Sequence, residues 1–495
     1  MSNKVAIHRL PTGVPGLDEI LGGGLPEFSF NLIAGPPGSG KTTLAHQLMF
    51  ALATAKRPAL YFTVLGEPPL KMLRYQQQFD FFDSEAINRS IRFVNLSEET
   101  LAGGLDAVLQ RIGAEVKAHS PALVFVDSFR SLISVSKNEN SPIATLQQFT
   151  QQLGMLMTSW EATTFLIGEY SDDSGVNPVF TLADGLIWLR QMVQRNSVVR
   201  KLEILKMRGQ ATTPGLHTFR ISDAGLHVFA PAVPADAVGE ANPSLVNTRL
   251  SMGIPRLDEM LGGGMPTGYS VLIAGPSGSG KSILAAAFLA EGVRCGEPGV
   301  IAAFEQSPKR SRSGVAKLIE GGRVAVVEHH SSDLSIDEIM FLLMSEIKRL
   351  NAKRVVIDSL SGFELAVAPS FREDFRESLS RMVTALATTG VTVLMTCEME
   401  DRYGDLRFSP YGTAFMTDAI IVQRYIEVDS HLRRLMAVVK VRGSAHSHEL
   451  REFTIDHTGI IVGEMLQDQE GLLGGRPTKK RVDKVVDPAI GTKRA

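Results

Sequence analysis

Two glycine-rich loops, each ending in a lysine and a hydroxyl residue, have the composition and spacing to bind phosphate. Residues 35–42 read GPPGSGKT, and residues 275–282 read GPSGSGKS. Each loop follows a short apolar run and precedes a helical pattern, which is the context that a Walker A phosphate loop requires. Glycines let backbone N–H groups surround phosphate oxygens, and a helix N-terminus attracts negative charge. Both loops are therefore predicted to bind a nucleotide.

The side chains of each loop predict separate roles toward ATP and Mg²⁺. Lys41 and Lys281 would reach the β- and γ-phosphates, and the hydroxyls of Thr42 and Ser282 would ligate the metal. The predicted nucleotide contacts of the first loop are Gly35, Gly38, Ser39, Gly40, Lys41 and Thr42. Those of the second loop are Gly275, Gly278, Ser279, Gly280, Lys281 and Ser282.

A phosphate loop needs an acidic partner that holds the metal's water shell from the end of another buried strand. Asp127 ends the apolar run ALVFVD, and Asp358 ends the run RVVID. An aspartate in such a position often serves only as a turn or helix cap. Its place downstream of a phosphate loop favours the metal role for both residues.

Hydrolysis also needs a carboxylate that positions or deprotonates the attacking water. Glu305 follows the apolar run GVIAAF in the second half and is the predicted base, acting with Lys281. In the first half, where Lys41 would act, the corresponding position is apolar and the nearest carboxylate is Glu67. Glu169 and Glu398 end two further apolar runs, either as sensors of the nucleotide or as solvated strand ends.

The elements that position these residues occur twice. TGVPGLDEILGGGLP at residues 12–26 returns as MGIPRLDEMLGGGMP at residues 252–266, and LEILKMRG and AVVKVRG form a later matching pair. Single cores stop growing at about 250 to 300 residues, so 495 residues also favour two domains. The predicted divisions are a first domain, a Pro- and Ala-rich linker, a second domain and a basic tail, at residues 1–229, 230–247, 248–462 and 463–495.

Short β-branched runs alternate with longer helical patterns in both halves, which predicts the α/β class with a mostly parallel twisted sheet flanked by helices. The net charge of −2 argues against a general nucleic-acid binder. The basic run at Lys479, Lys480 and Arg481 is interpreted as a solvated cluster. The two cysteines, Cys295 and Cys397, are expected to be buried thiols. No apolar run is long enough to span a membrane, and a cytoplasmic location is expected.

The duplicated segment before each phosphate loop, at residues 12–26 and 252–266, is called the lead-in. The lead-in, the phosphate loops and the repeated KxRG motif together resemble the KaiC-type ATPases of circadian clocks, within the RecA/RadA-like superfamily. The resemblance spans nearly the whole chain. It implies two tandem RecA-like P-loop NTPase domains in a double-ring homohexamer, with ATP bound between neighbouring subunits. It further implies that four cations reach the phosphates from the adjacent subunit: Lys206, Arg208, Lys440 and Arg442.

Several positions depart from the family pattern. KaiC-type domains carry paired glutamates after the second strand, whereas this chain has Glu305-Gln306 in one domain and no pair in register in the other. Ala414 and Phe415 stand where the family's phosphoacceptor pair would lie, and Thr413 and Thr417 are the nearest hydroxyl residues. Residues 101–112 resemble a segment that docks a KaiB-like protein, and GGRPT at residues 474–478 resembles the family's C-terminal control loop.

These patterns favour a hexameric ATPase that acts as a signalling or timing switch, whose first domain mainly binds ATP and whose second domain hydrolyses it. A RadA-like accessory ATPase of DNA recombination or repair is the alternative, although no DNA-binding module is evident. A serine/threonine self-kinase is a third hypothesis.

Overall fold

The computed structural model describes residues 7–64, 69–102, 104–129, 142–170, 178–194, 197–231, 248–304, 307–308, 314–328, 334–367, 375–399, 416–428, 430–466, 469–470 and 478–479. The chain divides into two compact units, Met1–Pro231 and Ala232–Ala495. Each unit has its own central sheet and its own apolar core. None of the helices among the described residues is both long and apolar enough to cross a membrane.

The first unit is built on a nine-stranded sheet. The strands of this unit are β1 (Arg9–Leu10), β2 (Leu25–Pro26), β3 (Phe30–Gly35), β4 (Ala59–Thr63), β5 (Ile91–Asn95), β6 (Leu123–Asp127), β7 (Thr163–Glu169), β8 (Gly185–Gln194), β9 (Ser197–Met207), β10 (Leu216–Ser222) and β11 (Gly225–Val228). The sheet order is β11-β10-β9-β8-β3-β7-β6-β4-β5, and β1 pairs with β2 separately. Strands β3 to β8 pair with one another in parallel. Strands β9, β10 and β11 continue the sheet from β8 in antiparallel pairs. The helices are Leu17–Leu21, Lys41–Leu52, Pro69–Gln76, Ser97–Ala102, Gly104–His119, Pro142–Ser159 and Pro178–Leu182, with a 3₁₀ turn at Ser84–Ala86.

The second unit repeats this topology. Its strands are β12 (Arg249–Leu250), β13 (Met265–Pro266), β14 (Ser270–Gly275), β15 (Gly299–Ala303), β16 (Val324–Glu328), β17 (Arg354–Asp358), β18 (Thr392–Glu398), β19 (Ala419–Val428), β20 (His431–Val441), β21 (Arg451–Asp456), β22 (Gly459–Met465), β23 (Gln469–Glu470) and β24 (Thr478–Lys479). The main sheet has the order β16-β15-β17-β18-β14-β19-β20-β21-β22. The helices are Pro255–Met260, Lys281–Arg294, Val315–Glu320, Ile336–Leu350, Leu360–Ala366 and Phe375–Thr388. The predicted α/β class with two mostly parallel, helix-flanked sheets is confirmed.

Burial on both faces explains why the central strands read as continuous apolar runs. In β3, Leu32 and Ala34 face one core cluster, and Ile33 faces the other. The helix Lys41–Leu52 contributes Leu44 and Leu48 to the cluster around Ile33. The sheet therefore fixes the phosphate-loop helix against one of its faces.

The duplicated lead-in folds as a capping turn in each unit. The carboxylate Oδ1 of Asp18 accepts a hydrogen bond from the backbone N–H of Thr12 at 2.9 Å. Asp258 repeats this contact with the N–H of Met252 at 2.7 Å and also accepts from the Ser251 hydroxyl at 2.6 Å. The lead-in thus supports the sheet and lies outside the phosphate loops.

The expectation of two buried thiols was half wrong. Cys397 is buried in β18, but Cys295 is exposed. Cys295 is the residue immediately after the helix Lys281–Arg294, where the chain leaves the core to enter a turn. Burial raises the pKa of Cys397 to about 12, so this thiol is protonated at neutral pH.

Candidate nucleotide sites

The two phosphate loops have the same backbone geometry. In each unit a buried strand ends at the first glycine, and a helix begins at the lysine. The residue before the lysine has a positive φ, 101° at Gly40 and 108° at Gly280. A Cβ at these positions would lie 2.7 Å from Ile221 Cδ1 and 2.6 Å from Ile455 Cδ1. Conformation and space therefore both require glycine there.

The loop lysines lie folded back over their own loops. Lys41 Nζ donates to the carbonyl oxygen of Pro36 at 2.8 Å. Lys281 Nζ donates to the carbonyl oxygens of Gly275 at 2.9 Å and Pro276 at 2.8 Å. Burial lowers the pKa of Lys41, although the carboxylates of Glu169 and Asp127 oppose this shift. Both ammonium groups are thus held inside the loop where phosphates would lie.

The loop serines point toward the sheet rather than outward. Ser39 and Ser279 are fully buried. The Ser279 hydroxyl lies 3.0 Å from Oε1 of Gln423 on β19. The backbone N–H groups of Ser39 and Ser279 donate to the carbonyl oxygens of Pro36 and Pro276, each at 3.3 Å, which closes a turn within each loop.

In the first unit the predicted metal residues meet. Asp127 Oδ2 accepts hydrogen bonds from the Thr42 hydroxyl at 2.9 Å and from the Tyr61 hydroxyl at 2.8 Å. Burial raises the pKa of Asp127, while the hydrogen bonds from Tyr61 and Thr42 lower it. A hydroxyl beside a carboxylate at the start of the loop helix supplies the oxygen ligands that Mg²⁺ prefers.

In the second unit the acidic residue has a different partner. Asp358 accepts a hydrogen bond from the hydroxyl of Thr396 on the neighbouring strand β18. Asp358 also lines a cavity of about 320 Å³ together with Lys281, Ser282 and Glu398. This cavity continues along the apolar side chains of Ile283, Ala286 and Ile301. A polar end beside an apolar extension fits a nucleotide whose phosphates lie on the loop.

The KxRG cations lie level with the start of the central strands, whereas the phosphate loops follow the ends of those strands. Gly185 pairs with both Asn31 of β3 and Met207 of β9, so Lys206 and Arg208 lie near the start of β3. The phosphate loop follows the end of β3, about 13 Å further along at 3.3 Å per residue. By strand register, these cations are therefore separated from the phosphate loop of their own domain by most of the length of β3.

Each cation is held by a contact within its own unit. Arg208 Nη1 lies 2.9 Å from Asp184 Oδ1, and Arg442 Nη1 lies 3.1 Å from Asp418 Oδ1. Lys206 Nζ donates to a backbone carbonyl at 3.0 Å, and Lys440 Nζ does the same at 2.6 Å. Burial lowers the pKa of both lysines, and the adjacent arginine lowers it further.

Some predicted residues lie outside the described part of the chain: Glu305, Gln306, Glu67, Thr413, Ala414 and Phe415. Thr417 is described, and its side chain is fully buried. The segment 101–112 falls within the helices Ser97–Ala102 and Gly104–His119, apart from residue 103. Residues 474–477 of the predicted control loop are also outside the described residues.

Sequence reasoning missed four polar residues that contact the predicted groups. Tyr61 and Thr396 lie within apolar strands, where nothing in the local pattern distinguishes them from core residues. Asp184 and Asp418 did leave a signal, because each stands directly before the strand that leads to a KxRG strand in both copies of the repeat.

Comparison with known proteins agrees with the resemblance. The sequence profile of the KaiC ATPase family matches residues 10–233 and 250–467. The circadian clock oscillator protein KaiC of Picosynechococcus sp. is 26% identical over 494 residues, covering 96% of this chain and 94% of the relative. The circadian clock protein KaiC3 of Synechocystis sp. is 27% identical over 487 residues, covering 95% of each. The chain therefore belongs to the KaiC family of ATPases.

Proposed function

We propose that this protein is an ATP-binding and ATP-hydrolysing ring that acts as a signalling or timing switch, with its nucleotides shared between neighbouring subunits in a hexamer. The position of the cation pairs carries this proposal. By strand register, Lys206 and Arg208 lie about four strand residues from the loop of their own domain, and so do Lys440 and Arg442. In a ring, an adjacent copy would bring them to a phosphate.

A heterologous head-to-tail contact that closes on itself makes a ring, and it repeats the same site at each interface. In such a site, the loop of one subunit would bind ATP, and the lysine and arginine of the KxRG motif of the next subunit would approach the phosphates. A cation delivered across an interface stabilises phosphoryl transfer by roughly a thousandfold or more. Hydrolysis would then depend on assembly.

We assign different work to the two domains. The second domain would hydrolyse ATP, with Glu305 activating water and Lys281 and the metal at Ser282 and Asp358 holding the phosphates. The first domain would mainly retain ATP through Lys41, Thr42 and Asp127 and so stabilise the ring. Mg²⁺ held by these hydroxyl and carboxylate groups would neutralise part of the charge on the phosphates.

Two variants test this division. Glu305→Gln is expected to lose most ATP turnover while keeping its native mass in ATP, because the side chain keeps its size and loses only its basicity. Lys41→Ala is expected to weaken assembly more than turnover. The measurements are native mass with ATP and phosphate release. Parental turnover in Glu305→Gln would reject the assigned base, and unchanged assembly in Lys41→Ala would reject the holding role.

We make two narrower proposals, on docking of a KaiB-like protein and on self-phosphorylation. Docking of a KaiB-like protein on residues 101–112 would be measured by co-sedimentation with and without ATP. Self-phosphorylation would need an accessible hydroxyl, and the burial of Thr417 disfavours this residue as the acceptor. Mass spectrometry of ATP-treated protein around Thr413 and Thr417 tests the kinase hypothesis directly.

A further inference from the structure

We propose that Tyr61 is a positioning residue that orients the carboxylate of Asp127 in the first domain. Thr396 takes the same role toward Asp358 in the second domain. This inference rests on the proposed function of Asp127 and Asp358 beside bound Mg²⁺. It adds a residue that the phosphate-loop motifs do not contain.

Packing around the Tyr61 ring directs its hydroxyl toward Asp127. Its side chain is fully buried in β4. The ring stacks on Phe125 with centroids 5.9 Å apart and an interplanar angle of 16°, and His46 lies against it at 4.7 Å. Phe93 adds a third ring contact at 5.3 Å. With its ring held by three aromatic neighbours, the Tyr61 hydroxyl approaches Asp127 Oδ2 at 2.8 Å.

The two domains supply this hydroxyl from opposite neighbouring strands. Asp127 lies on β6 between β4 and β7, and Ile167 of β7 pairs with it. By the same registers, the second domain has Ile301 in place of Tyr61 and Thr396 in place of Ile167. Each acidic residue thus has a hydroxyl donor on one side and an isoleucine on the other. The exchange preserves, for each carboxylate, one hydroxyl donor from a neighbouring strand.

Two donors on one oxygen have a physical consequence. A buried carboxylate is costly unless hydrogen bonds replace its lost water. Thr42 and Tyr61 both donate to Oδ2, which orients the carboxylate and leaves Oδ1 for the metal's water shell. A hydroxyl that ligates a metal through its oxygen can still donate its hydrogen, so both contacts are compatible with bound Mg²⁺. Outer-shell partners of this kind orient the groups that hold a metal.

The test measures how much of a fluorescent ATP analogue, mant-ATP, the full chain retains as the concentration of free Mg²⁺ is varied. Lys281→Ala is the background, because it removes the second domain's loop lysine. Tyr61→Phe keeps the ring and removes only the hydroxyl. It is expected to raise the Mg²⁺ concentration for half-maximal retention about tenfold, within the range for loss of an outer-shell partner. The matched control is Tyr75→Phe at a tyrosine that is 56% exposed, where no change is expected.

A rescue variant separates positioning from general packing. Ile167→Thr added to Tyr61→Phe places a hydroxyl on the side from which Thr396 acts in the second domain. It should return the Mg²⁺ concentration for half-maximal retention most of the way to the value of the Lys281→Ala parent. Thermal melting by circular dichroism verifies that the variants are folded. A folded Tyr61→Phe protein with an unchanged or lower Mg²⁺ requirement overturns the proposal, and so does failure of the rescue. Absence of any retention in the Lys281→Ala parent would instead refute the nucleotide assignment of the first domain, on which the proposal rests.

Discussion

Replacing Arg354 with alanine should destabilise the second domain selectively, because this arginine connects three parts of it. Arg354 begins β17, the strand that ends at Asp358, and its side chain is 1% exposed. Its guanidinium binds Glu297 Oε2 at 2.7 Å and donates to the carbonyl oxygens of Ser251 at 2.7 Å and Phe288 at 2.8 Å. The guanidinium carbon also lies 4.6 Å from the centroid of the Phe288 ring.

The magnitude follows from what the substitution leaves behind. Removing one partner of a buried ion pair costs about 3–5 kcal/mol, and loss of the donor to the Ser251 carbonyl adds about 1 kcal/mol. Glu297 is 27% exposed and can recover part of its hydration, which offsets some of this loss. We therefore expect the free energy of unfolding to fall by about 4 kcal/mol.

Urea denaturation can resolve the two domains because both tryptophans, Trp160 and Trp188, lie in the first one. Tryptophan fluorescence should give the parental transition in Arg354→Ala. Far-UV circular dichroism, which reports both domains, should show a transition moved down by about 1.5 M if the m-value is about 2.5 kcal/mol/M.

Arg381→Ala is the matched control. Arg381 pairs with Glu377 at 3.0 Å one helical turn away, and both side chains are exposed. Loss of such a surface pair costs about 0.5 kcal/mol or less. Equal shifts in the two arginine variants would refute the argument from burial, as would an Arg354→Ala transition that coincides with the parent.

Two further predictions concern pH and the subunit interface. Burial lowers the pKa of His46 to about 4, so the folded protein keeps this residue neutral while the unfolded chain binds a proton below about pH 6.5. The neutral His46 should therefore contribute its full stabilisation above pH 6.5, and the free energy of unfolding of the first domain should fall by about 3 kcal/mol as the pH falls to 4. In His46→Ala, denaturation followed by tryptophan fluorescence should show a smaller fall over the same pH range. A fall as steep as that of the parent would contradict this prediction. Arg442→Ala should lose ATP turnover but regain some when mixed with Lys281→Ala, because about a quarter of the interfaces in mixed rings combine an intact loop with an intact cation. Phosphate release by the mixture is the measurement, and activity no higher than that of the separate variants would argue against delivery from the adjacent subunit.

Local sequence was sufficient for much of the fold and for the loops. A phosphate loop is a continuous segment, and its glycines, lysine and hydroxyl residue act at fixed spacing, so the pattern predicts its own conformation. The α/β class was predicted by alternating apolar runs and helical patterns, and the repeat predicted that both halves would share it. Asp127 and Asp358 were predicted as metal residues because each ends an apolar run, and this role remains a prediction. Glu305 remains a prediction from the same kind of pattern.

The tertiary structure decided which side chains surround these groups. Tyr61 contacts Asp127 only because β4 lies beside β6, and Thr396 contacts Asp358 only because β18 lies beside β17. The position of Lys206 and Arg208 away from their own loop likewise follows from the antiparallel pairing of β9 with β8. Arg354 begins β17 and is buried against Glu297, a partner 57 residues away that the local sequence does not indicate. Strand order brings together residues far apart in the chain, and no local spacing records which strands become neighbours.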